Sequence, residues 1–72
     1  MTKEVYKLIK SMKQVIIGWE KEKEELKEQY ESETDVEKQK VLTEKIWRLT
    51  NNIHENKHLI KVIEDDAKTK QQ

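Results

Sequence analysis

Val5, Ile9, Met12, Ile16, Trp19, Lys23, Leu26 and Tyr30 follow one another at alternating steps of four and three. Spacing with a mean period of about 3.5 keeps residues on one side of an α-helix, as the a and d positions of a heptad repeat. Only Lys23 in this set is polar. Leu42, Ile46, Leu49, Ile53, Asn56, Ile60, Ile63 and Ala67 repeat the pattern, with Asn56 as the polar interruption. The chain therefore carries two apolar seams, and each needs a facing surface.

Composition agrees with two long helices. Charged residues make up 42% of the 72 and apolar residues 33%, with no Pro, no Phe, no Cys and one Gly. Such a balance, rich in Glu, Lys, Leu and Ile, is that of helical and coiled-coil chains and leaves no material for a sheet. The length allows one domain, residues 1–72, near the lower limit for unaided folding.

Between the seams lies Tyr30-Glu31-Ser32-Glu33-Thr34-Asp35-Val36-Glu37. Thr34 followed three residues later by Glu37 reads as a capping box, and Asp35 suits the positive end of the helix dipole. The expectation is an all-α, two-helix antiparallel coiled-coil hairpin: helix 3–31, turn 32–34, helix 35–68 and a frayed tail 69–72. A single continuous helix is the competing arrangement, because neither Gly nor Pro forces a break. Folding back near residues 31–34 pairs Val5 with Ile60, Met12 with Ile53, Ile16 with Leu49 and Trp19 with Ile46, every a opposite a d. Towards the loop the same register sets Lys23 against Leu42, Leu26 against Gln39 and Tyr30 against Asp35, so the tip is expected to be the weaker end.

His54-Glu55-Asn56-Lys57-His58 fits the zinc-protease pattern HExxH. Histidines at i and i+4 share a helical face and could hold one zinc while the Glu activates a bound water. A third ligand is missing, since Thr50, Asn51, Lys61 and Val62 lie a turn away and Asp65 is about 10 Å beyond His58. In the heptad, His54 takes position b and His58 position f, both outward. The reading is two solvated histidines, with no catalytic residue, no metal and no cofactor.

Lys+Arg and Asp+Glu both number 15, which argues against a general polyanion binder. Residues 20–46 hold ten acidic and six basic side chains and the rest five and nine, so the hairpin has an acidic tip and a basic open end. Lys3, Lys7 and Lys10, with Lys57 and Lys61 near them, form a strip that could meet phosphates, but no arginine cluster or aromatic stacking platform accompanies it. A small nucleic-acid-binding regulator is thus the alternative function.

The flanks of the seam differ more than the charges do. Leu8, Val15 and Leu59 at position g, joined by Val62 at c, widen the apolar stripe on one side. The other side, position e, carries Lys13, Glu20, Lys27, Thr43, Thr50, Lys57 and Glu64. A lone hairpin would leave that apolar stripe in water, which marks a contact surface. Self-association through Leu8, Val15, Leu59 and Val62 into a homodimeric four-helix bundle is the expectation. Ile17 and Trp47, at b positions expected to lie level, form a candidate patch for a different partner.

No family motif is matched residue by residue. The sequence is read as a non-enzymatic helical-hairpin interaction module that self-associates and binds a protein partner as adaptor or inhibitor. A small phage or mobile-element protein that blocks a host or defence enzyme would fit. The absence of cysteine and of an apolar run long enough to span a bilayer makes the cytoplasm the expected location.

Overall fold

A computed structural model describes residues 2–70 of the protein as two helices, α1 (Lys3–Ser32) and α2 (Val36–Lys70), packed against each other as an antiparallel hairpin 56 Å long. Among the described residues there is no strand. Thr2 caps α1, its hydroxyl accepting from the Val5 N–H at 3.2 Å, and Glu4 supplies an acidic side chain to the first turn, where it opposes the helix dipole.

The break is one residue later than the spacing suggests. Ser32 is still helical, its Oγ donating to the Gln29 carbonyl at 3.1 Å. Glu33 leaves the helix in an extended conformation, with φ −85° and ψ 130°, and its N–H bonds back to the Tyr30 carbonyl. No described residue has a positive φ, so this turn needs no glycine. The cap of α2 is Asp35 rather than Thr34: the Asp35 Oδ1 accepts from the Glu37 N–H at 2.9 Å, and the Asp35 carbonyl accepts from the Gln39 N–H. The carboxylate of Glu33 in turn accepts from the Asp35 N–H at 3.0 Å. An aspartate's short carboxylate reaches the helix N–H groups while its backbone stays outside the helix, which a threonine one residue earlier cannot do here.

At the other end, Thr69 and Lys70 belong to α2, where they were expected in a frayed tail. The Thr69 hydroxyl donates to the Asp65 carbonyl. Residues 71 and 72 of that expected tail lie outside the described residues.

Both seams face inward. Ile9, Ile16, Leu26, Leu42, Ile53 and Ile60 are buried, and Val5, Met12, Trp19 and Ile63 pack against the cluster that Ile9, Ile16, Ile53 and Ile60 form. Tyr30 is the exception, at 41% exposure beside the turn. The two polar seam residues are handled differently: Lys23 is half-buried, which its long aliphatic stem allows, while Asn56 donates to the Asn52 carbonyl at 2.9 Å.

The register differs from the expected one by a full heptad. Gln39 Nε2 donates to the Glu33 carbonyl at 2.7 Å, Lys57 Nζ lies 2.9 Å from Glu20 Oε1, and Ile16 and Ile60 line one concavity. In the expected register, Lys57 would sit roughly 18 Å along the axis from the level of Glu20. The observed contacts instead set Val5 level with Ala67, Ile9 with Ile63, Met12 with Ile60 and Trp19 with Ile53. Leu26 then comes level with Ile46 and Tyr30 with Leu42, so two of the three polar mismatches expected in the loop half become apolar layers, while Lys23, level with Leu49, remains. A seven-residue slip leaves every a opposite a d, so the heptad period alone cannot exclude it. Burial decides between the two, since the shorter register leaves Ile63 and Ala67 overhanging the end of α1 without partners.

Candidate interaction surface

Two helices cannot enclose a side chain completely. Even the best-covered seam residues, Ile9 and Ile16, keep 5% of their surface, and among the described residues no side chain is fully buried. What lies beside the seam therefore decides how the molecule meets its surroundings.

On one flank, Leu8, Val15, Leu59 and Val62 are each about half exposed, between 48% and 51%. The observed register gathers them. Leu59 and Val62 fall level with the stretch of α1 between Leu8 and Val15, so the four residues occupy a single heptad, roughly 10 Å of axis. Their neighbours at the outer c positions are small, Ser11 and Gly18, and no lysine occupies position g or c in the open half. The apolar flank is compact and almost free of positive charge.

The opposite flank is built from positions e and b. Glu20 and Lys57 bridge the helices there, each side chain about half exposed. Beneath them, Lys13, Ile16, Ile17, Glu20, Lys57 and Ile60 line a concavity of about 360 Å³. A smaller one of about 200 Å³, lined by Tyr6, Ile9, Lys10, Lys13 and Gln14, adjoins it at Lys13. The sequence places polar side chains at the e positions of this flank and Ile17 at a b position, but the groove between the helices has no counterpart in it. The signal lies in the b positions of the open half, where Lys3 and Lys10 precede Ile17 on α1 and Lys61 lies on α2.

Ile17 and Trp47 are strongly exposed, at 64% and 67%. The structure does not bring them level. The heptad shift carries Trp47 towards the tip, about eight residues or roughly 12 Å along the axis from Ile17. The expected shared patch is replaced by two separate features, Ile17 at the edge of the groove and Trp47 alone nearer the loop.

His54 and His58 are both exposed on the outer side of α2. Among the described residues, no group of three or more His, Cys, Asp or Glu side chains is placed to hold a metal ion. No helix among them is long and apolar enough to cross a membrane. No protein-family model, no curated protein and no solved structure matches the chain.

Proposed function

We propose that the chain is a non-enzymatic interaction module of the cytoplasm, a hairpin that self-associates through its apolar flank and binds a partner protein as adaptor or inhibitor. The observation that carries this reading is the half-exposed cluster of Leu8, Val15, Leu59 and Val62, held within one heptad on one flank of an incompletely covered core. Pairing two such flanks would give a four-helix bundle and remove both clusters from water, at a gain of about 25 cal/mol for each Å² of apolar surface buried. The isologous contact of a twofold dimer suits a patch that is its own complement.

Sedimentation equilibrium tests it. The wild type should dimerise at tens of micromolar. Val15→Glu places an unpaired charge in the interface, at a cost of several kcal/mol, and should be monomeric. Lys13→Glu, on the other flank, should associate like the wild type. A monomeric wild type, or a Val15→Glu variant that dimerises as tightly, refutes self-association through this flank.

A further inference from the structure

The groove on the e and b flank is apolar at its floor and basic along both rims. Ile16 and Ile60 form the floor and Ile17 stands at its edge; Lys13 and Lys57 line the α1 and α2 rims, Lys10 lines the adjoining concavity, and Lys61 follows Lys57 by about one turn of α2. Two carboxylates share the flank: Glu20, already bridged to Lys57 at 2.9 Å, and Glu64. We propose that this groove is the partner site of the hairpin and that it receives an acidic amphipathic helix.

Shape selects a helix. The larger concavity lies between the helices beside Lys13 to Glu20 of α1, and the smaller one, lined by α1 alone, continues along that helix to Tyr6, a stretch of roughly 21 Å or four helical turns. The furrow between two packed helices is the place where a third helix lays its apolar face. Charge selects an acidic one, because Lys10, Lys13, Lys57 and Lys61 would flank the incoming helix on both sides and meet carboxylates at its edges. Ile17 gives the site an apolar anchor at its edge, largely exposed at 64% in the hairpin itself.

A nucleic-acid strand fits this surface poorly, since the floor offers isoleucines where phosphates and base edges need donors. A bilayer fits less well than a helix, because the apolar part is concave and a membrane-facing helix presents a convex stripe of bulky side chains. The groove and the self-association flank lie on opposite sides of the seam, so both can be occupied together. The proposal presupposes the partner-binding role argued above and is independent of dimerisation.

The test uses the full chain and a fluorescein-labelled synthetic peptide of about four helical turns, with Leu on one face and Glu on the other. A second peptide with Lys for every Glu, and vesicles of mixed phosphatidylcholine and phosphatidylserine, serve as the other probes. The acidic peptide should bind saturably and more weakly as salt is raised. Ile17→Glu, at an exposed position that the fold does not use, should weaken it by about tenfold or more while sedimentation stays unchanged. The double variant Lys13→Glu, Lys61→Glu should do the same without touching the apolar floor. The proposal is overturned if the acidic peptide does not bind, if the Lys peptide binds equally well, if Ile17→Glu binds like the wild type, or if vesicles are preferred to the peptide. A wild type that is monomeric yet binds the acidic peptide removes the dimer and leaves the groove assignment standing.

Discussion

Lys57 Nζ of α2 lies 2.9 Å from Glu20 Oε1 of α1, which places the middle of one helix against the open-end half of the other. A contact between these two residues is possible only in the longer of the two heptad-equivalent registers, in which Ile63 and Ala67 are paired rather than overhanging. The ion pair reports the register; the seam sets it.

That distinction is measurable. The side chains of Lys57 and Glu20 remain 59% and 47% exposed. Solvent screening then limits an ion pair to about 0.2–1 kcal/mol. Glu20→Gln should therefore shift the urea midpoint only slightly and leave the hairpin in the same register. A loss of several kcal/mol would mean that the pair, and not the isoleucine seam, holds the helices in place.

Cross-linking separates the registers directly. Cysteines introduced as Met12→Cys and Ile60→Cys should join within one chain under mild oxidation. Met12→Cys with Ile53→Cys, the pair of the shorter register, is offset by roughly 10 Å along the axis and should not. Efficient bridging of the second pair, read as a faster-migrating monomer band, would restore the shorter register.

The turn depends on Asp35. Replacing it with Ala removes the acceptor of the Glu37 N–H and should cost about 1 kcal/mol in chemical denaturation, within the usual 0.5–2 kcal/mol for such caps. Thr34→Ala should cost clearly less. The reverse order of the two effects would reinstate the Thr34 capping box.

Gly18 sits in the interior of α1, and a Cβ built there meets nothing within 4 Å. Gly18→Ala should stabilise the isolated hairpin by about 0.5–1 kcal/mol, because the flexibility of glycine is wasted in a helix. Thermal denaturation at low concentration checks this. Should the same substitution weaken dimerisation, the missing side chain serves close approach between copies on the Ser11 and Gly18 face.

The sequence by itself determined that there are two helices, which residues form their seams, and that one flank is apolar and the other wet. Heptad spacing reports local geometry, and side-chain order along a helix follows from it whatever the helix packs against. It also placed Leu8, Val15, Leu59 and Val62 on a common side, because positions g and c are fixed once a and d are known. Only the tertiary structure decided how far one helix slides along the other. A repeat of seven looks the same after a slip of seven, and the choice rests on what the ends and the turn can bury or hydrogen-bond: Ile63 and Ala67 against α1, Gln39 against the Glu33 carbonyl, Asp35 at the cap. That one slip drew the apolar flank into a single heptad, carried Trp47 away from Ile17, and set Lys57 beside Glu20 over a groove that belongs to neither helix alone.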